Sequence, residues 1–355
     1  MKGAILLNYY TQYEEKRVEA RYVDCSLSNN RDELLIQLFQ NIQPIDLFTA
    51  LNEYPHDNYA CLGTLLSSIC MDKHLVLGSG SEDLICRINH FLLQKKSVGI
   101  VKPNFYRISQ TLPFHYSVLV SCSKTDLSLD TQPIADSIEK NKLEAVWISN
   151  PNTITGKGFT CKELEKLIRA YPSVLFIIDE ASIDSIINIA EYSSMCIDTA
   201  PYDNLITLRT FSKFYGMPGL RLGYAAMSSC IFAEILQNNG QVFPINNANT
   251  LLVKKISEAA ELFKDIRLKI TEHKERLLEL ISKSKFLYGY TSLTNVMLVG
   301  SHQFQVWAAL EERGILTYAL SDEVECGFED CVRLTIHSSE MLFQRLYNAL
   351  EAIAL

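Results

Sequence analysis

Hydrophobic and polar positions follow two different patterns along the chain, and the change between them divides the sequence. From about residue 60 to 230, short apolar runs alternate with amphipathic stretches such as CKELEKLIRAY (161–171). Apolar runs of this kind, bounded by polar turns, are typical of buried strands, and the amphipathic stretches are typical of covering helices. The predicted strands lie at residues 74–80, 97–103, 116–122, 144–150, 174–180, 204–210 and 220–227.

Strands that alternate with helices form a mostly parallel sheet with helices against its faces. The pattern therefore predicts an α/β fold whose large domain, residues 40–240, holds a mostly parallel seven-stranded sheet covered by helices. Near residue 240 the pattern changes, because residues 256–283 keep a helical period over many turns. We expect one long helix there, leading to a smaller α+β domain built from residues 1–39 and 241–355.

Composition and charge restrict the partners of the chain more than its fold. There are 33 lysines and arginines against 41 aspartates and glutamates, so the formal net charge is −8. An acidic surface is unfavourable for non-specific binding to nucleic acid or to an anionic membrane. The early apolar patch, Gly3 to Leu7, is too short for the core of a signal peptide, and no stretch approaches the roughly 20 apolar residues of a membrane span.

The ten cysteines are scattered through the sequence. None forms a Cys-x-x-Cys pair, and no cysteine–histidine cluster has the spacing of zinc ligands. The sequence therefore predicts neither a disulfide framework nor a metal site. Free thiols are typical of a reducing compartment, which favours a cytoplasmic protein.

Residues that could bind a ligand or take part in catalysis follow the ends of several predicted strands. They are the small residues 78–81, Phe105, the polar segment 150–153, Asp179 and Lys213. Because ligands collect outside the carboxyl ends of parallel strands, we expect these groups to share one edge of the sheet. A lysine for a Schiff base, a carboxylate for a ring nitrogen and an anion site are what pyridoxal phosphate requires. Taken singly, each group is also compatible with a structural role as a turn, a helix cap or an ion pair.

Two nucleotide-binding patterns fail on the same segments. GSGSED (78–83) lacks the third glycine of the G-x-G-x-x-G pattern, and Gly156-Lys157 lacks both the upstream glycine and the following Ser or Thr of a phosphate-binding Walker loop. The strand-to-helix junction at residues 78–83 remains a candidate anion site or a plain tight turn, since free backbone N–H groups there can bind a phosphate.

The segment TLRTFSKFYGMPGLRLGYAAM (207–227) resembles the lysine motif of fold-type-I pyridoxal-phosphate enzymes, the class I/II aminotransferases. Within them it is most similar to the histidinol-phosphate aminotransferase group, which also contains threonine-phosphate decarboxylases. Further segments resemble that group in the same order: Tyr54-Pro55, GSGSEDLI for its GNGSDELI, NPNTITG for NPNNPTG, IIDEAS for VDEAY, and VRLTIHS for its C-terminal arginine strand.

The resemblance implies a role for each matching residue. Lys213 would carry the cofactor as a Schiff base and move the proton at the substrate α-carbon, and Asp179 would keep the pyridine nitrogen protonated. Arg333 would pair with the substrate carboxylate through a bidentate fork. Tyr54 would reach the cofactor phosphate of the neighbouring subunit, so the expected unit is a homodimer.

The remaining implied contacts are to the cofactor and the substrate. Phe105 would stack on the cofactor ring. The expected cofactor-binding residues are Gly80, Ser81, Glu82, Phe105, Asn152, Thr153, Asp179, Ser182, Thr210, Ser212, Lys213, Arg221 and Tyr54, and the expected substrate-binding residues are Arg333, Tyr318 and Asn29.

Three positions depart from the pattern of the group. Thr153 replaces an asparagine and Ser182 a tyrosine, both of which contact the phenolic oxygen of the cofactor, and Tyr318 stands where an arginine is frequent. The leading hypothesis is a pyridoxal-phosphate aminotransferase that moves an amino group between a small amino acid or amine and a 2-oxo acid. The alternatives are a pyridoxal-phosphate decarboxylase or other lyase, and a non-catalytic binding protein on the same fold.

Overall fold

The computed structural model describes most of the chain, and all structural statements below concern that part. The apolar patch at Gly3 to Leu7 lies outside it. The described residues are 13–40, 42–55, 58–67, 74–120, 122–123, 125–186, 192–195, 202–320, 328 and 330–354.

Strands and helices alternate through the first two thirds of the described chain. The strands are β1 (Val23–Asp24), β2 (His74–Ser79), β3 (Val98–Lys102), β4 (Tyr116–Val120), β5 (Ala145–Ser149), β6 (Leu175–Asp179), β7 (Leu205–Thr210), β8 (Leu222–Met227), β9 (Tyr288–Gly289), β10 (Val296–Gly300), β11 (Ile315–Leu316), β12 (Tyr318–Ala319) and β13 (Cys331–Thr335). The α-helices are α1 (Glu14–Arg17), α2 (Pro44–Asn52), α3 (Asn58–Ser67), α4 (Ser81–Arg87), α5 (Tyr106–Gln110), α6 (Gln132–Asn141), α7 (Cys161–Ala170), α8 (Cys230–Asn238), α9 (Asn247–Glu258), α10 (Ala260–Ser282), α11 (Val306–Glu311) and α12 (Glu340–Ala354).

The predicted seven-stranded sheet is present, with the strand order β2-β8-β7-β6-β5-β3-β4. Strands β4, β3, β5, β6 and β7 run parallel, while β8 is antiparallel to both β7 and β2. Each strand overlaps one of the predicted apolar runs. The α/β prediction with a mostly parallel sheet is therefore confirmed.

Both faces of this sheet are covered, as its continuous apolar strands require. Successive side chains of β5 point to opposite faces. Trp147 packs in one core with residues of β3 and β7, and Val146 and Ile148 pack in another with Leu164 of α7. The Trp147 indole also donates to the side chain of buried Asn89, at 3.0 Å.

A second, four-stranded antiparallel sheet has the order β12-β13-β10-β9. Helices α10 and α12 contact each other and share one core with β10 and β13, in which Leu277 and Phe343 meet Val299 and Val332. Beside it, β1 pairs in parallel with β11, joining residues near the start of the described chain to residues near its end.

The helix expected over residues 256–283 is two helices in the structure. The chain leaves the helical conformation at Ala259, with φ −101° and ψ 32°, so that α9 ends and α10 begins. The two helices pack against different partners, since α9 contacts α2 and α3 while α10 contacts α12. A continuous helical period in the sequence does not reveal such a break.

The expected division at residues 39–40 and 240–241 stays a prediction. Leu35 and Leu38 of the 3₁₀ helix Glu33–Phe39 pack in one core with Phe211, Phe214 and, from α10, Phe263. That core therefore contains residues from both predicted domains. Among the described residues, no helix has both the length and the apolar character needed to span a membrane.

Candidate active site

The carboxyl ends of the central strands border a cavity of about 160 Å³. The registers of β5, β6 and β7 place Ser149, Asp179 and Leu208 side by side at this edge of the sheet. Lys213 follows on the loop after β7. The cavity is lined by the following residues from the predicted set: Asn29, Ser81, Glu82, Phe105, Thr153, Asp179, Thr210, Ser212, Lys213, Arg221, Tyr318 and Arg333.

Four predicted residues do not line the cavity, and each has a different place. Gly80 lies next to the Arg221 guanidinium and has φ +78° and ψ 168°, a backbone conformation that favours glycine. Ser182 is buried directly after Ala181, which does line the cavity. Tyr54 is exposed and its ring lies 5.3 Å from that of Phe243.

Asn152 is used inside its own loop, which corrects the expectation that it faces the cofactor. Its amide oxygen accepts from the backbone N–H groups of Ile154 and Thr155, each at 3.0 Å, and its amide nitrogen donates to the carbonyl of Pro103 at 2.5 Å. These bonds hold the turn that presents Thr153 to the cavity. Asn152 is therefore a structural residue of the site.

Asp179 ends β6 with only 2% of its surface exposed. Its Oδ1 accepts from the backbone N–H of Ala181 at 3.1 Å. Burial raises the pKa of Asp179 to about 6, although the Ala181 hydrogen bond and the positive charge of Lys213 oppose the shift. A carboxylate in this setting is stabilised by a protonated partner, such as a cationic ring nitrogen.

Lys213 is held in the cavity wall by its backbone, because its carbonyl accepts from the N–H of Asn30 at 2.9 Å. The pKa of Lys213 is lowered to about 8, chiefly by burial and also by the positive charges of Arg333 and Arg221, while the negative charge of Asp179 opposes the shift. A neutral amine is the nucleophilic form of lysine. The lysine is thus prepared for attack on a carbonyl carbon near neutral pH.

The hydroxyls of Thr210 and Ser212 and the guanidinium of Arg221 line the same cavity as Lys213. The hydroxyl of Thr210 donates to that of Ser212 at 3.0 Å and accepts from the Ser212 backbone N–H at 3.2 Å. Arg221 takes the left-handed conformation, with φ 49°, and its guanidinium donates to the carbonyl of Ser79 at 3.4 Å. A Cβ on Gly223 would lie 2.5 Å from the backbone nitrogen of Ser81, so the glycine lets β8 approach this loop. The arrangement suits an anion such as a phosphate.

Arg333 on β13 reaches the cavity from the four-stranded sheet and is only 6% exposed. Its guanidinium donates to the carbonyl oxygens of Ser26, at 2.6 Å, and Thr153, at 3.2 Å. The Tyr318 ring stacks on it, with the guanidinium carbon 4.6 Å from the ring centroid. Arg333 is thus fixed in one orientation before any ligand binds.

Several buried polar side chains at or beside the cavity have no hydrogen-bond partner among the described residues. They are the hydroxyls of Thr153 and Ser182 and both amide atoms of Asn104. Buried polar groups are nearly always paired, so these atoms point to a bound polar molecule. Together with a lysine, a carboxylate and an anion cup, they fit pyridoxal phosphate.

Sequence reasoning missed seven residues of the cavity wall. Most are direct neighbours of predicted residues, for example Asn104 and Tyr106 on either side of Phe105, so the motifs contained a signal for them. Ser28 likewise precedes the predicted Asn29, whereas no separate signal in the sequence pointed to Leu27, whose segment is placed by the long-range pairing of β1 with β11. The missed residues are Leu27, Ser28, Asn104, Tyr106, Ile154, Ala181 and Pro218.

The fold and this lysine–carboxylate cavity define a pyridoxal-phosphate enzyme of fold type I. The sequence model of the family described as "Aminotransferase class I and II" matches residues 22–350. The chain therefore belongs to the class I and II aminotransferase family, and its cofactor is pyridoxal 5'-phosphate.

Individual relatives support the same placement. The chain is 28% identical over 338 residues to the histidinol-phosphate aminotransferase of Thermoanaerobacter pseudethanolicus, covering 93% of each chain. Two solved structures share the fold. The histidinol-phosphate aminotransferase of Sinorhizobium meliloti in complex with pyridoxal-5'-phosphate has a TM-score of 0.80 at 16% identity, over 96% of this chain and 93% of that one. The L-threonine-O-3-phosphate decarboxylase of Porphyromonas gingivalis has a TM-score of 0.74 at 18% identity, over 93% and 99%.

Proposed function

We propose that the enzyme transfers an amino group between a small amino acid or amine and a 2-oxo acid, in the manner of histidinol-phosphate aminotransferases. The observation that carries this proposal is the meeting of Lys213, Asp179 and Arg333 in one cavity. A nucleophilic amine, a buried carboxylate and a fixed guanidinium are the groups that this reaction needs. Similarity to the Thermoanaerobacter enzyme over nearly all of both chains supports it.

Lys213 has two tasks in this proposal. Its neutral amine attaches the cofactor, and afterwards it carries the proton to and from the substrate α-carbon. Near neutral pH an amine with a pKa of about 8 both accepts and releases a proton readily. When bound, pyridoxal phosphate supplies an electron sink for the bond that breaks at that carbon.

The other residues around Lys213 bind and orient the cofactor. Asp179 pairs with the protonated ring nitrogen, which keeps the ring electron-withdrawing. Phe105 packs on one ring face. The phosphate is held by the hydroxyls of Thr210 and Ser212, the guanidinium of Arg221 and the backbone N–H groups of residues 80–82.

Two buried hydroxyls replace larger partners of the phenolic oxygen. In the proposal the Thr153 hydroxyl would donate to that oxygen. Ser182, buried next to the lining residue Ala181, would be a second hydroxyl near it. The Thr153 and Ser182 side chains are shorter than asparagine and tyrosine, and each offers a single hydroxyl donor. On the substrate side, Arg333 pairs with the carboxylate while Tyr318 and Asn29 border the substrate.

We also propose a cytoplasmic homodimer. Helix α2 has no buried residue within Pro44–Asn52, and three of its large apolar side chains, Ile45, Phe48 and Leu51, are more than 60% exposed. Tyr54 and Phe243 continue this apolar surface. A second copy of the chain covering it would bring Tyr54 to the neighbouring cofactor phosphate. Cys25, Cys86, Cys122, Cys161, Cys230 and Cys331 are free thiols, which suits a reducing compartment.

The test starts from the purified protein loaded with pyridoxal phosphate. We expect the visible absorbance of lysine-bound cofactor, its disappearance in Lys213→Ala, and a fall in turnover of at least about 10³-fold in that variant. Incubation with amino donors should convert the cofactor to its amine form and release a 2-oxo acid. Release of carbon dioxide without that conversion would identify a decarboxylase instead, and absence of the visible absorbance would refute the proposal.

A further inference from the structure

Loop 25–30 follows β1 and lies on the side of the cavity proposed for the substrate. Three of its residues line the cavity wall, namely Leu27, Ser28 and Asn29. The carbonyl of Ser26 accepts from the guanidinium of Arg333 at 2.6 Å. The shape of this loop therefore affects both the cavity wall and the orientation of the arginine proposed to bind the substrate carboxylate.

A single imidazole joins the two ends of this loop. His337 lies just after β13, and its Nδ1 accepts from the backbone N–H of Arg31 at 3.2 Å. Its Nε2 donates to the carbonyl of Asp24 at 2.9 Å. Because a backbone N–H can only donate and a carbonyl can only accept, the two bonds select the tautomer with its proton on Nε2. The ring thus connects the residues directly before and after loop 25–30.

The surroundings of His337 keep its ring in this neutral form. The residue is only 2% exposed. Burial lowers the pKa of His337 to about 4, although the bond to the Asp24 carbonyl opposes the shift. The ring is therefore neutral near pH 7 and keeps the acceptor that the Arg31 N–H needs. The backbone is held as well, since Nδ1 of His273 on α10 donates to the His337 carbonyl at 2.9 Å.

Other bonds hold single points of the same loop. The Thr335 hydroxyl donates to the carbonyl of Leu27 at 3.2 Å, and the Asn295 side-chain amide donates to the carbonyl of Ser28 at 3.1 Å. Each of these bonds fixes one carbonyl. His337 fixes the distance between the two ends, which restricts the shape of the whole loop.

We propose that His337 is a positioning residue for substrate binding, whose imidazole holds loop 25–30 in the shape that orients Arg333. The inference rests on the proposed function and adds a residue to the substrate side of that site. His337 is not part of the described cavity wall, so it acts through the loop and does not touch the substrate. Without the ring, the two ends of the loop are no longer held together, and a carboxylate should be recognised less well.

The cofactor should be affected less than the substrate. Loop 25–30 does contact Lys213, because the N–H of Asn30 donates to the lysine carbonyl. Asn30 has its own anchor, since its side chain donates to the hydroxyl of Ser338 and accepts from the Ser338 N–H, each at 3.0 Å. The Lys213 carbonyl also accepts from the N–H of Gly216 at 3.1 Å. These bonds do not involve the imidazole, so the lysine should keep its place when the ring is removed.

The experiment compares two reagents that react with the bound cofactor and differ in one carboxylate. Aminooxyacetate carries a carboxylate and O-methylhydroxylamine carries none. The nitrogen of either reagent forms a double bond to the cofactor carbon and the Lys213 amine leaves, so the visible absorbance of lysine-bound cofactor is lost. Stopped-flow absorbance on the cofactor-loaded enzyme gives both second-order rate constants. The ratio of the aminooxyacetate constant to the other measures how well the carboxylate is recognised.

In His337→Ala we expect this ratio to fall at least about tenfold, since two hydrogen bonds to the loop are lost. The rate constant for O-methylhydroxylamine should stay within about twofold of wild type. Arg333→Gln should lower the ratio at least as far, because it removes the proposed carboxylate partner. An unchanged ratio in His337→Ala overturns the inference.

Two conservative variants separate the two bonds. His337→Asn keeps an acceptor near Nδ1 for the Arg31 N–H, and His337→Gln keeps a donor near Nε2 for the Asp24 carbonyl. Each should recover part of the loss and have a ratio about threefold below wild type. If His337→Ala does not fold, these two variants decide the question, and wild-type ratios in both overturn the inference. It is also wrong if neither variant recovers any of the loss seen in His337→Ala.

Leu346→Ala is the control for a general loss of stability. Leu346 lies on α12 in the core beside the four-stranded sheet and is 1% exposed, and its apolar side chain makes no hydrogen bond. The substitution should lower the Tm to an extent similar to His337→Ala and leave the ratio at its wild-type value. If the ratio falls equally in Leu346→Ala, loss of packing explains the effect and the inference is wrong.

Failure of the inference can be told apart from failure of the proposed function. The proposed function still holds if the visible absorbance depends on Lys213 and an amino donor yields a 2-oxo acid, whatever the ratio does in the His337 variants. Absence of that absorbance from the wild-type enzyme refutes the proposed function, and with it the inference that rests on it.

Discussion

The two sides of the cavity are built in different ways. The cofactor side comes from loops that follow strands of one sheet, so Asp179, Thr210 and Lys213 are positioned by neighbouring strands. The substrate side is assembled from distant segments, with Arg333 from the second sheet held by the carbonyl of Ser26. Local motifs therefore specify the cofactor-binding residues, while long-range packing specifies the residues that face the substrate. The predictions below test whether the two sides are separable.

The largest effect is expected on the cofactor side. Asp179→Asn keeps the shape of the side chain but removes its charge, so the ring nitrogen is no longer held protonated. We expect kcat to fall by roughly 10³-fold while the visible absorbance of bound cofactor persists. Steady-state kinetics and the absorbance spectrum measure this, and a fall of less than tenfold would argue against the ring-nitrogen contact.

For Arg333→Lys we expect a smaller loss of activity, which affects the substrate and not the cofactor. The lysine keeps a positive charge but loses the two-pronged donor, so carboxylate substrates should lose about 100-fold in kcat/KM. The Kd for pyridoxal phosphate should stay within threefold of wild type, since Arg333 does not belong to the cofactor side. A comparable loss of cofactor affinity would show that the two sides are not separable.

The pH dependence of cofactor capture links the two sides. Lys213 attacks only as the neutral amine, so the rate at which the apoenzyme binds pyridoxal phosphate should rise about tenfold per pH unit below its pKa of about 8 and level off above it. Because Arg333 lowers this pKa, Arg333→Gln should move the plateau to higher pH. Stopped-flow absorbance measures both profiles, and identical plateaus would rule out this electrostatic coupling.

The smallest effect is expected from the hydroxyl of Thr153. Thr153→Val keeps the shape and removes the donor, and we expect cofactor affinity to weaken by about three- to tenfold. Thr317→Val is a matched control, because that hydroxyl is also buried and has no hydrogen-bond partner within the described part of the chain but does not line the cavity. Equal cofactor affinities in the two variants would place the Thr153 hydroxyl outside the cofactor contacts.

The same contrast explains what the sequence could predict. The strands and the groups after them were predictable, since apolar runs and strand ends are local features of the chain. Thr153 and Asn152 are adjacent, and only the hydrogen bonds of Asn152 to Ile154, Thr155 and Pro103 decide which of them faces the cavity. The break at Ala259 was likewise unpredictable, because it depends on which helices α9 and α10 pack against.

Segment 23–31 has a consequence for how the chain acquires activity during synthesis. It is translated early, yet several of its partners come late: β1 pairs with β11, and the side-chain amide of Asn30 donates to the hydroxyl of Ser338, 308 residues away. Closing so long a loop is entropically costly and waits for the final strands to emerge. We expect segment 23–31 to be the last part of the cavity wall to be fixed, and limited proteolysis of ribosome-bound chains would show it protected last.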